Sequence, residues 1–134
     1  MVLVDGQGTP LGLHLDSASP AEVKLLEPTL DTVQEGTPER LIGDRGYDSN
    51  PARAMLAGRG IDPIIPKREN NRKATHQDGR KLRRYGHRWI IERTNAWLQT
   101  FRRIFVRYER LVGIYQTLVH MACALLVLRR LVSK

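Results

Sequence analysis

Leu41-Ile42-Gly43-Asp44-Arg45-Gly46-Tyr47-Asp48-Ser49-Asn50-Pro51 is the stretch on which the fold turns. Leu41 to Asp44 reads as a short buried strand that ends in a carboxylate. Gly43 and Gly46 let the backbone turn tightly around that acid. Asn50-Pro51 then has the form of an N-cap with proline at the first helical position. Ala52 to Arg59 should be helical, Gly60 is placed to end the helix, and Ile61 to Ile65 is another short strand closed by Pro66. Strand, helix and strand in succession point to an α/β fold. In such folds sites gather beyond the C-terminal ends of the strands, where Asp44 stands. A turn-capping role would also use an Asp here, and taken alone Asp44 serves both readings. Asp48 and Ser49 read as residues that help to begin the helix.

Upstream, Val2–Asp5 and Leu11–Leu15 are short apolar runs separated by Gly6-Gln7-Gly8-Thr9-Pro10, a turn composition, and together they predict a β-hairpin. Ser19-Pro20-Ala21-Glu22 matches a capping box, and Val23, Leu26, Leu30 and Val33 follow at helical spacing. A helix is expected from about Pro20 to Gln34, ended by Gly36. The order to this point is β-β-α-β-α-β.

Downstream, Lys67 to Gly79 is polar and basic without an apolar period, and reads as an exposed loop. A helical pattern returns from about Arg80 to Tyr108. There Trp97, Phe101, Ile104 and Phe105 share a side, with Ile90 and Leu98 nearby. Leu111 to Leu128 carries no charge over 18 residues, the lower edge of transmembrane length. Gln116, Thr117 and His120 dilute the run, and it is read as a packing helix.

Charge is unevenly spread. Residues 1–66 hold 5 basic and 10 acidic side chains, residues 67–110 hold 14 and 4, and residues 111–134 hold 3 and none. A basic block of that density points to a polyanion, with a solvated surface as the plain alternative. The single cysteine, Cys123, excludes an internal disulfide and reads as a small buried hydrophobe in a reducing compartment. The four histidines are scattered, so no Cys/His spacing supports zinc. No phosphate-binding glycine loop or Gly-x-Ser-x-Gly is present.

On a helix Tyr85, Arg88, Trp89, Glu92, Ala96 and Gln99 form one stripe. Glu92, one turn after Arg88, reads by itself as an ordinary helix ion pair worth about 0.3–0.5 kcal/mol. Its surroundings add to this, because Arg80, Lys81, Arg83, Arg84, Arg88 and Arg93 crowd around one acid. Metal-dependent phosphodiester chemistry needs cations to hold phosphates beside carboxylates that hold a metal.

Three stretches, in order, resemble the DDE transposases of bacterial insertion sequences, in the group with a Tyr-Arg-Glu-Lys signature. Leu3-Val4-Asp5-Gly6-Gln7-Gly8-Thr9-Pro10-Leu11 is similar to the family's second-strand hairpin. Leu41 to Ser49 is similar to its second-Asp motif. Arg88-Trp89-Ile90-Ile91-Glu92-Arg93-Thr94, with Trp97-Leu98 and Arg102-Arg103, is similar to its third-carboxylate helix. The resemblance implies a ribonuclease-H-like fold with C-terminal helices, truncated so that the first strand and its Asp are missing. In that reading residues 1–66 form the hairpin and β/α units, 67–110 a basic loop and the Glu92 helix, and 111–134 an apolar packing helix.

The resemblance assigns Asp44 and Glu92 as catalytic and metal-holding, with Mg²⁺ or Mn²⁺ as cofactor. It assigns DNA contacts to Tyr85, Arg88 and Gln99, with Arg80, Lys81, Arg83, Arg84, Arg93, Arg102 and Arg103. Gln99 stands where the signature has Lys; Arg102 or Arg103 is the available substitute for its charge. Asp5 is placed at the hairpin turn and is not the first Asp. The implied partners are insertion-sequence ends and target DNA, with a homodimer or an upstream transposase segment, and no membrane. The implied location is the cytoplasm, at the nucleoid. The chain is expected to cleave and transfer DNA strands when complete and to be inactive alone. The alternatives are a non-enzymatic DNA-binding remnant or, less well matched to the motifs, a basic structural protein on RNA. A truncated element and a frame joined by frameshifting are both compatible with the sequence.

Overall fold

The computed structural model describes residues 1–17, 20–34, 36–70 and 79–132. Strand β1 (Val2–Val4) pairs antiparallel with β2 (Pro10–Leu13), as the hairpin reading predicts. The turn is made by Asp5, whose carboxylate accepts from the Gln7 N–H at 2.8 Å and the Thr9 N–H at 2.7 Å. A 3-10 turn (Glu22–Leu25) leads into helix α1 (Leu26–Asp31). This is shorter than the helix expected from Pro20 to Gln34. Thr32 ends it, its hydroxyl donating to the Thr29 carbonyl and accepting from the Leu13 N–H. The capping box begins at Ser19, outside the described residues.

Strand β3 (Arg40–Ile42) and β4 (Asp62–Ile64) pair in parallel across helix α2 (Asn50–Gly58), so the mixed α/β reading holds. The N-cap is Ser49 rather than Asn50: its hydroxyl accepts from the Ala52 N–H, and Pro51 falls within the first turn. At the other end Gly60 adopts φ +72. Its N–H donates to the Ala57 carbonyl and the Ile61 N–H to Leu56, which is a Schellman cap. The cap places Ile61 against Leu56 in the core, both essentially sealed from water.

Residues 71–78, most of the expected basic loop, lie outside the described residues. The helix expected from Arg80 to Tyr108 is broken into pieces: α3 (Gly79–Leu82), a 3-10 stretch (Arg83–Arg88), α4 (Trp89–Gln99) and α5 (Arg102–Phe105). Gly86 falls inside the 3-10 stretch, where helix propensity is poorest. Phe101 takes an extended backbone between α4 and α5. Phe105, expected on the apolar side, is exposed.

Helix α6 (Val112–Val132) is 21 residues long and, by length and composition only, could cross a membrane. It packs through one narrow stripe, Val119, Ala122, Cys123 and Leu126, while Met121, Leu125 and Leu128 are exposed.

Two cores lie on opposite faces of the hairpin. Leu26, Leu30, Leu41, Leu56, Ile61 and Ile65 form the first, joined by Met1 and Leu3. Leu13, Leu98, Val119, Cys123 and Leu126 form the second, joined by Val2 and Leu15. The period-2 alternation of a strand sends Leu3 to one and Val2 to the other.

Candidate active site

Asp44 lies two residues beyond the end of β3, after Gly43. Its extended backbone caps the 3-10 turn Arg45–Tyr47, and its Oδ1 accepts from the Gly46 N–H at 2.7 Å. A Cβ on Gly46 would stand 2.8 Å from that same oxygen, so a side chain there would push the carboxylate off this turn. The capping role and an open face are both present, because Asp44 is half-exposed and lines a groove of about 730 Å³. Glu92 lines the same groove from α4, with His87, Arg88, Ile91 and Asn95. The structure therefore brings both acids of the sequence reading to one cavity. Glu92 is paired with Arg88 at 2.7 Å. Arg88 also lies 5.7 Å from the centre of the Tyr85 ring, because three residues make one turn of a 3-10 helix.

Tyr47 lines the same groove. Burial, then the Glu22 and Asp44 carboxylates and a hydrogen bond to Glu22, push its phenol up to about 12. Asp5 is spent on the turn. Burial pushes its carboxyl up, but the Thr9 and Gln7 N–H groups outweigh this and hold it below the usual range. Asp44 and Glu92 are hard oxygen donors, the type that Mg²⁺ and Mn²⁺ take, one or two at a time with water or phosphate. Among the described residues no group of three His, Cys, Asp or Glu could hold a metal ion.

The basic residues divide. Arg83, Arg84, Arg102 and Arg103 are exposed, as are Arg80 and Gln99. Lys81 pairs with Asp62 at 2.9 Å, and Arg103 with Glu109 at 3.4 Å. Arg93 does not join Glu92's surface. Its guanidinium lies between the Trp89 and Trp97 rings, 4.7 and 4.8 Å from their centres, and donates to the Gln7 carbonyl. Arg130 stacks on Trp97 from α6 and donates to Gln7 and to the Thr9 hydroxyl. Thr94 donates to the Gly8 carbonyl. These contacts bolt the hairpin turn onto α4 and so fix where Glu92 stands. Sequence reasoning missed them; the one available signal was the glycine at position 8.

A second feature was also missed. The Asp48 side chain is fully buried, binds Arg53 at 2.7 Å and accepts from the Arg68 N–H at 2.6 Å. Arg53 in turn donates to the Ile65 carbonyl. Asp48 thus ties the exit of β4 to the start of α2, a larger role than the helix start expected of it.

Residues 1–127 match the family described as Transposase DDE domain. This chain belongs to that family. The transposase-family chain is also 35% identical to a Burkholderia cepacia protein assigned as a transposase for insertion sequence element IS402. That alignment covers 93% of this chain and 60% of the relative. No solved structure matches it.

Proposed function

We propose that this transposase-family chain contributes Asp44 and Glu92 to a divalent-metal site that cleaves and rejoins DNA, within a ribonuclease-H-like arrangement. The observation that carries the reading is the shared groove: one acid just beyond a parallel strand, the other on α4, both lining one cavity. Asp44 and Glu92 would hold Mg²⁺ or Mn²⁺, which supplies charge stabilisation for attack of water, and later a 3′ hydroxyl, on phosphorus. Arg88 orients Glu92 through their ion pair. The Gly46 N–H orients Asp44. Exposed Arg83, Arg84, Arg102 and Arg103 hold the backbone phosphates of insertion-sequence ends and target DNA.

The test is made in a transposase of the relatives' full length that carries this segment. Asp44→Asn and Glu92→Gln should each abolish metal-dependent nicking of element-end DNA while binding stays within about twofold of the parent, since exposed substitutions rarely cost more than about 0.5 kcal/mol. Retained nicking in either variant would remove that residue from the assignment.

A second reading, DNA binding without cleavage, draws on the lack of a third ligand beside the two acids among the described residues. Nicking by the full-length parent would dismiss it. A purified 134-residue chain that nicks with Mg²⁺ would overturn the expectation that the chain alone is inactive.

A further inference from the structure

We propose that Asn95 reads a base edge beside the scissile bond and selects adenine there. The inference rests on the reading of Asp44 and Glu92 as the metal-holding pair, and adds to that site a residue that senses sequence.

The polar side chains lining the groove are mostly committed. Asp44 and Glu92 are the acids already assigned, and Arg88 is paired with Glu92 at 2.7 Å. Asp5 is held by the Gln7 and Thr9 N–H groups. Tyr47 is hydrogen-bonded to Glu22, and Arg40 lies 3.6 Å from Glu39. His87 and Asn95 are left. The two ring nitrogens of a histidine point to different sides, so it bonds one group of a base at a time. The asparagine amide holds an acceptor and a donor side by side, the complement of the N6 donor and N7 acceptor that adenine shows in the major groove.

The fold makes no use of that amide. Asn95 lies in the middle of α4 (Trp89–Gln99), where asparagine is a poorer helix former than alanine. Asparagine is favoured at helix starts, where it bonds free N–H groups, and this position is more than a turn past the start of α4. The side chain is exposed, and its amide has no hydrogen-bond partner among the described residues.

Its spacing from Glu92 sets what it can reach. Side chains three apart on a helix have Cβ atoms about 5–6 Å from each other. A DNA strand advances about 3.4 Å per nucleotide, so a strand with its reacting phosphate at Glu92 brings a base to Asn95 within two steps. The exposed arginines grip phosphates and set overall affinity, while Asn95 distinguishes one base pair where the bond is cut.

The test uses a transposase of the relatives' full length that carries this segment. Element-end duplexes are varied one base pair at a time over the two pairs on each side of the scissile bond. Initial nicking rates with Mg²⁺ are compared within each protein, so an overall loss of activity cancels. At one of these positions the parent should nick the adenine duplex about 10-fold faster than the other three, as a good bidentate pair gives. Asn95→Ala should bring the four rates to within about twofold, and Asn95→Arg should move the preference to guanine at the same position. Equal rates in the parent, an adenine preference that survives Asn95→Ala, or one that persists in Asn95→Arg would overturn the inference and leave the metal reading standing. A parent that nicks none of the duplexes would remove both.

Discussion

Thr94 and Gly8, 86 residues apart, meet in a buried hydrogen bond of 2.9 Å. Gly8 has φ +86, and a Cβ there would stand 2.7 Å from the Thr94 hydroxyl oxygen. Gly8→Ala therefore meets both an unfavourable backbone and a clash with a rigid, buried partner, and should cost about 1–3 kcal/mol. Thr94→Val, which keeps the shape but orphans the Gly8 carbonyl, should cost about 1–3 kcal/mol. Urea midpoints of the two variants check this, and an unchanged midpoint in Gly8→Ala would mean the hairpin turn is not clamped as described.

Asp48→Ala should be the most damaging single change among the charged residues described. It leaves the Arg53 guanidinium without its buried anion and the Arg68 N–H without its acceptor. Breaking one partner of a buried pair costs about 3–5 kcal/mol. Arg59→Ala, which removes ion pairs to the exposed Asp31 and Glu27, is the control and should cost far less, because water screens exposed pairs. Equal losses in chemical denaturation would show that burial does not set the difference.

Tyr47 gives a pH signature. Its phenol is pushed up to about 12 from an ordinary 10.0, so the folded state holds the proton more tightly than the unfolded state. The stability this contributes is complete below about pH 10 and is lost as pH rises towards 12. Ultraviolet titration should show a late-ionising component that is lost in Tyr47→Phe and shifted to lower pH in Glu22→Gln. A Tyr47→Phe chain that loses stability above pH 10 just as the parent does would contradict the linkage.

DNA binding should fall steeply with salt and show little sequence preference, because Arg and Lys dominate the exposed surface between residues 79 and 110. Arg83→Ala with Arg84→Ala should flatten the slope of log K against log salt by about 2. Arg93→Ala should instead lower stability, since that guanidinium is occupied by two indoles and Gln7. Salt-insensitive binding to one short sequence would refute the phosphate-contact reading.

The legible parts of the molecule were those whose cause is local. Gly6-Gln7-Gly8-Thr9-Pro10 makes a hairpin wherever it occurs between two apolar runs, and Gly60 ends α2 by its own φ. Asp44 and Glu92 were singled out through motif order, and both line one groove. What stayed hidden depends on distant partners. Arg93 sits in a basic block by sequence, yet faces Gln7 and two tryptophans. Asp48 resembles a turn residue until Arg68, 20 positions away, is seen on its other oxygen. The long helix from Arg80 failed for a subtler reason: apolar spacing continues through Phe101 while the backbone does not.

The double hold on Gln7 has a consequence for biosynthesis. Its carbonyl is gripped by Arg93 and by Arg130, the latter 123 positions later in the chain. At about 5–20 residues per second, a ribosome finishes the second clamp about 6–25 s after the hairpin has left the exit tunnel. Over that interval β1 and β2 are made but held by only part of their contacts. Translation speed and chaperone access, rather than final stability alone, then govern how much of the newly made protein reaches the native arrangement.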